Sequence, residues 1–199
     1  MPETTRAAAA PAPRQVFLFT GHMVDAPDRP APRFPAQKAS AAGERIAAAL
    51  EACDAGPADL ALTQGAAGGD LLFVEACEQR RVPVRLLLPL SLDEFLVRSV
   101  RPSRDGSTWE QRLRDAIGRL HVPPLEAPKV LGALREGADP FVRGNEWLLD
   151  HALAFGADRL HCICLWDGGG SDGPGGTRHM VEAVRSRGGR VTWIDTRTL

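Results

Sequence analysis

Five short runs rich in apolar residues, at 16–20, 59–63, 84–88, 159–166 and 190–195, set the architecture of this chain. Runs of this length, bounded by glycine, proline or charge, read as buried strands rather than helices. Between them lie segments whose apolar residues recur every three or four positions, the period of a helix packed on one side. Ala39, Ala42, Ile46, Leu50 and Cys53 mark a helix over 36–53, and Leu72, Phe73, Ala76 and Cys77 mark one over 70–81. Ser91 and Glu94 have capping-box spacing ahead of Phe95 and Leu96. Ser107 and Glu110 repeat it ahead of Trp109, Leu113, Ile117 and Leu120. Further helices are expected at 140–155 and 177–187. Such alternation predicts a three-layer α/β sandwich with a mainly parallel sheet of about five or more strands. The segment 121–139 holds three prolines and little pattern, so it reads as an inserted excursion, a lid or a partner surface.

Residues 1–15, alanine-rich with three prolines, read as a flexible tail, and 16–199 as a single domain. The tail has no hydrophobic signal-peptide centre, and no apolar stretch approaches the roughly 20 residues of a membrane span. A cytoplasmic protein without a membrane partner is the expectation. The formal net charge of -1 and only two lysines, Lys38 and Lys129, argue against a nucleic-acid partner and exclude a GK[ST] phosphate loop. There is no tyrosine to act as a nucleophile. Cys53, Cys77, Cys162 and Cys164 form no CxxC pair. Cys162 and Cys164 share one face of a strand, and all four are expected to be free thiols holding no metal.

Three loops carry the chemistry: Gly21-His22 after the first strand, 65–70 after the second, and 167–177 after the fourth. In a parallel sheet they share the edge outside the carboxyl ends of the strands, where open α/β sheets bind ligands. Glycine lets backbone N–H groups approach a ligand, and helix N-termini add unpaired donors and partial positive charge, so the favoured ligand is an anion. The phosphate-binding candidates are Gly21, His22, Gly65, Ala66, Gly68, Gly69, Asp70, Gly175, Gly176 and Thr177. No GxGxxG follows the first strand, so neither a standard dinucleotide site nor any other cofactor is expected.

The run Gly65-Ala66-Ala67-Gly68-Gly69-Asp70 with Glu75-Ala76 resembles the second-strand turn of the DprA/LOG-like superfamily. Gly173-Pro174-Gly175-Gly176-Thr177 resembles its PGG-type phosphate loop. Gly21-His22, Phe34-Pro35, Leu165-Trp166-Asp167-Gly168 and His179-Met180 match a bacterial branch found alone or fused to signalling modules. The resemblance spans most of 15–195. It implies a Rossmann-like fold that binds nucleotides or nucleotide-derived ligands, and it leaves a homodimer open because many relatives dimerise. Some members release a base from nucleoside 5′-monophosphates; others are sensors or bind nucleic acid. Hydrolase members carry a glutamate three residues after the loop threonine, where this chain has Met180.

The remaining residues admit two readings each. Glu182, the nearest glutamate, is either catalytic or part of a solvated face with Arg178 and Arg185. His22 meets the ligand or caps its turn, and Asp70 meets the ligand or starts a helix. Asp167 and Asp172 bind ribose hydroxyls or their own loop. Trp166 stacks on a base or packs in the core, and His179 faces the ligand or solvent. Two functions follow: a module that captures a nucleotide-like small molecule for sensing, or an N-glycosidic hydrolase.

Overall fold

The computed structural model describes residues 11–169 and 175–199. Six parallel strands form one sheet: β1 (Val16–Gly21), β2 (Leu60–Thr63), β3 (Val84–Leu88), β4 (Leu125–Glu126), β5 (Leu160–Trp166) and β6 (Arg190–Asp195). Seven helices connect them: α1 (Ala39–Ala52), α2 (Gly69–Gln79), α3 (Leu92–Ser99), α4 (Gly106–Arg119), α5 (Ala127–Val130), α6 (Pro140–Leu153) and α7 (Thr177–Ser186). The α/β sandwich expected from the sequence is the fold observed.

Side-chain alternation along the central strands separates the two helical layers. Phe17, Phe19, Ala61, Leu86, Ile163 and Leu165 face α1, α2, α3 and α4, whereas Val16, Leu18, Leu62, Leu87, Cys162 and Cys164 face α6 and α7. Both faces are covered, which is why these strands read as continuous apolar runs. Phe17, Phe19, Phe34, Phe73 and Phe95 are fully buried. Each such side chain contributes about 1.5–3 kcal/mol relative to exposure. Phe19 and Phe73 stack with centroids 4.9 Å apart. All four cysteines are free: Cys162 and Cys164 share a face, Cys77 is buried, and Cys53 is half-buried with its sulfur 3.2 Å from His161 Nδ1.

The strand order is β4-β3-β2-β1-β5-β6. The chain builds outward from β1 on one side, then crosses to build β5 and β6 on the other. The reversal falls between β1 and β5, which pair from Val16↔Leu160 to Gly21↔Leu165. Loops leaving the carboxyl ends of these strands diverge and open a crevice there.

Two local expectations are corrected. The excursion contributes β4, where Leu87↔Leu125 and Leu88↔Glu126 extend the sheet, and then α5. Two residues are too few to show a period, and this strand exists only through its pairing with β3. Ser91 caps α3 as expected, accepting the Glu94 N–H at 3.4 Å. Ser107, in contrast, caps nothing. Helix α4 begins one residue earlier, after Asp105 in the left-handed region (φ 59°), and Glu110 turns to Arg101 and Arg114 at 2.6 and 2.8 Å. No helix among the described residues is long and apolar enough to cross a membrane.

Candidate functional site

A cavity of about 430 Å³ opens at the carboxyl ends of β1 and β2, against the first turn of α7. His22 and Met23 line it beyond β1, Gln64, Ala66 and Asp70 beyond β2, and Gly175, Gly176 and Thr177 ahead of α7. The first turns of α6 add Asp139, Phe141 and Asn145, and the end of α3 adds Arg98 and Ser99. The proline-rich loop between β1 and α1 supplies Asp25, Arg29 and Arg33. That loop is held down by buried Phe34 and by Asp25, whose Oδ2 accepts the N–H groups of Arg33 and Phe34 at 2.9 and 2.8 Å.

The two glycine loops on this wall differ in bonding. In the loop after β2, Asp70 Oδ2 accepts the N–H groups of Gly65 and Ala66 at 3.0 and 3.3 Å. The Ala67 N–H donates to the Ser99 carbonyl at 3.0 Å, and the Gly69 N–H to the His22 carbonyl at 3.2 Å. Gly68 holds φ +106°, and a Cβ there would lie 2.6 Å from the Val24 backbone nitrogen, so only glycine lets the two loops close. Burial pushes the Asp70 carboxyl up to about 6, against the pull of its N–H partners. Thr63 Oγ1 is near enough to favour the charged form, although its geometry falls short of a hydrogen bond. Asp70 therefore starts α2 and ties down the loop before it.

At the described end of the loop ahead of α7 the helix start is uncapped. Gly176 is the N-cap and carries no side chain to close the helix end. The first bond back to the cap is from the Met180 N–H to the Gly176 carbonyl at 3.3 Å. The N–H groups of Thr177, Arg178 and His179 have no partner among the described residues, as expected of an uncapped first turn. Gly175 holds φ +101° against Val142 of α6, where a Cβ would come within 2.9 Å of the Val142 side chain. Asn145 joins the two loops: its Oδ1 accepts from Gln64 Nε2 at 2.7 Å, and its Nδ2 donates to the Gly175 carbonyl.

His22 is 6% exposed and closes the crevice between β1 and β5. Its backbone N–H donates to the Leu165 carbonyl, and its Nε2 lies 3.2 Å from both the backbone nitrogen and Oδ1 of Asp167. With its proton on Nδ1 the ring accepts the Asp167 N–H; with a proton on Nε2 it donates to the carboxylate. Burial alone would raise the Asp167 carboxyl, but the Gly169 N–H at 2.8 Å, His22 and the charge of Arg33 together hold it below the usual range. Asp167 thus stands behind His22 on its own loop rather than in the cavity wall.

The other candidates disperse. Trp166 is half-buried at the rim, 5.9 Å from Trp193, with Arg178 over its ring at 5.5 Å; its carbonyl accepts the Trp193 indole N–H. It lines no part of the cavity. His179 is exposed in a separate groove between α6 and α7. Met180 is buried against the α6 layer. Glu182 is exposed, and its expected ion pairs do not form, because Arg178 turns back to the carbonyls of Gly168 and Gly169. Asp172, with Gly173 and Pro174 of the loop motif, lies outside the described residues.

Sequence reasoning missed Gln64, Arg98, Phe141 and Asn145. Asn145 had a legible signal: it stands four residues after Phe141 and three before Leu148, a polar residue on the buried stripe of its helix. Arg98 had none, since its place depends on a contact with the Phe141 ring of α6 that is distant in the chain. Among the described residues no cluster of three or more His, Cys, Asp or Glu could hold a metal ion. Comparison of the sequence with protein-family models gives no match, and comparison with curated proteins gives none.

Proposed function

We propose that the cavity binds a nucleotide or nucleotide-derived small molecule, captured for sensing or signalling, with a phosphate against Gly176 and the first turn of α7. One observation carries this reading: the first-turn N–H groups of α7, which begins at Thr177 in the cavity wall, stand without partners among the described residues, whereas four N–H groups of the loop after β2 are engaged within the protein. An uncapped helix start presents both hydrogen-bond donors and partial positive charge to an anion. The position at the reversal of strand order, where α/β sheets take up nucleotides, supports the same ligand class.

Binding rather than hydrolysis is favoured by the state of the carboxylates. Cleavage of an N-glycosidic bond needs a carboxylate free to stabilise charge at the sugar or to direct water. Asp25, Asp70 and Asp139 of the cavity wall each accept two backbone N–H groups, and Glu182 lies outside it.

The test is calorimetric titration with adenosine 5′-monophosphate. Gly176→Asp places a negative side chain where the phosphate is expected. Gly176 has φ -75°, which any residue adopts, so the fold should survive. Affinity should fall by at least about tenfold. Unchanged affinity in the variant would remove α7 from the site.

A further inference from the structure

The cavity lining carries donors that the phosphate at α7 does not use. Arg98, on the last turn of α3, is exposed at the cavity, with its guanidinium over the Phe141 ring at 4.7 Å. Among the described residues it has no carboxylate partner. A cation over a ring face keeps N–H groups available for an acceptor. Ser103 also lines the cavity, next to Arg104, whose N–H donates to the Asp25 carbonyl at 3.0 Å; Ser103 is 4% exposed, and its hydroxyl has no hydrogen-bond partner among the described residues. A buried hydroxyl without a partner is costly and calls for an explanation.

Nearby carboxylates do not meet this need. Asp25 is held by the N–H groups of Arg33 and Phe34, and Asp139 by those of Phe141 and Val142. Among the described residues the cavity holds a cation over an aromatic ring and a buried hydroxyl, and no acceptor engages either. Arg98 is positioned by α6 rather than by the α7 loop: Phe141 holds the guanidinium, while the next residue, Val142, packs on Gly175.

We propose that Arg98 and Ser103 form a second anion subsite, so that the ligand of this cavity carries two separated acidic groups. The chemical class is a nucleoside phosphorylated at two positions, not a nucleoside 5′-monophosphate. This rests on the nucleotide reading of the same cavity. The first turn of α7 offers three N–H groups, suited to one phosphate, and the second acidic group meets the guanidinium edge.

Calorimetric titrations with adenosine 5′-monophosphate, adenosine 5′-diphosphate and adenosine 3′,5′-bisphosphate test it, on the wild-type protein, Arg98→Ala and Ser103→Ala. The bisphosphate should bind about tenfold or more tightly than the monophosphate, the size of one charge-assisted contact. Arg98→Ala should abolish that gain and leave monophosphate affinity within about twofold, since a screened rim charge acts weakly on a distant group. Ser103→Ala should lower bisphosphate affinity alone. If the monophosphate binds and the bisphosphate gains nothing, the second subsite fails and the nucleotide reading stands. An equal gain for the diphosphate would trace the effect to total charge and overturn separated groups. Equal losses for both ligands in Arg98→Ala would place one anion between Arg98 and α7, and overturn it as well. If no nucleotide binds the wild-type protein, the nucleotide reading fails and takes this inference with it.

Discussion

The loop after β2 and the loop ahead of α7 look alike in sequence and behave oppositely in the fold. Both are glycine-rich, both lead into a helix, and both reach the same cavity. The first is closed by Asp70, one residue into α2, whose carboxylate takes two N–H groups, and by the carbonyls of Ser99 and His22. The second has glycine at the cap and threonine, arginine and histidine after it, with nothing among the described residues to close it. A glycine-rich turn therefore marks where backbone can approach a ligand, and the acceptor beside it decides whether its donors are free. In the loop after β2 a carboxylate next to the turn ties the donors down, whereas at the described start of α7 no acceptor engages the first-turn N–H groups.

The largest effect should come from Asp70→Ala. It strands two N–H groups of the loop after β2 and leaves a small cavity, at a cost of about 2–4 kcal/mol. That corresponds to a fall in Tm of roughly 5–15 °C for a domain of this size, read by thermal denaturation. An unchanged Tm would mean that the closed loop does not need its carboxylate, and the contrast between the loops would lose its cause.

Asp70→Asn separates hydrogen bonding from charge. The amide oxygen can accept the same two N–H groups, but the side chain no longer titrates. In the folded protein burial raises the Asp70 carboxyl to about 6, above its unfolded value. The folded state then binds a proton more tightly than the unfolded state. The contribution of this group is fully present below the unfolded value of about 3.9 and is lost as pH rises through about 6. The difference in stability between wild type and Asp70→Asn should therefore change by about 1–3 kcal/mol between pH 4 and 7, with the variant gaining on the wild type as pH rises. Denaturant unfolding at several pH values measures it, and parallel profiles would show that Asp70 has the same affinity for protons folded and unfolded.

Asn145→Ala should have a smaller effect on stability, about 1 kcal/mol, because it removes the hydrogen bonds that join the two loops. Its effect on ligand affinity should exceed its effect on stability, since Gly175 loses its tether while the core beneath is untouched. Equal affinity for adenosine 5′-monophosphate before and after the change would show that the loop ahead of α7 is placed by α6 packing alone.

Glu182→Gln should be nearly silent. The side chain is exposed and unpaired among the described residues, so stability should stay within about 0.5 kcal/mol and affinity should not move. Assay of base release from adenosine 5′-monophosphate sharpens this: turnover abolished by Glu182→Gln would make α7 a catalytic helix and reverse the reading of its first turn.

The α/β architecture was legible because strands covered on both faces must be apolar at successive positions, and helices covered on one side must be apolar every three or four. β1, β2, β3 and β5 and the stripe of α1 follow from those two periods. β4 was not legible, because a two-residue strand has no period and is defined by its neighbour. The misplaced start of α4 has a similar origin. Ser107 and Glu110 have the right spacing for a cap, but Arg101 and Arg114 compete for Glu110, and Asp105 begins the helix by its backbone conformation.

For the site, the sequence by itself determined which loops could meet at the carboxyl edge, since that follows from parallel strands and their connections. It also determined that Met180 takes a buried face of α7, since Met180, Val181 and Val184 fall together at 100° per residue. Only the tertiary structure decided which backbone donors remain free, because the Ser99 and His22 carbonyls that engage Ala67 and Gly69 come from distant parts of the chain. It also decided that Arg98 and Asn145 reach the cavity, through the contact of Arg98 with Phe141 and the hydrogen bond of Asn145 with Gln64. Local spacing governs which groups a helix or strand presents. Long-range packing governs which of those groups still lack a partner.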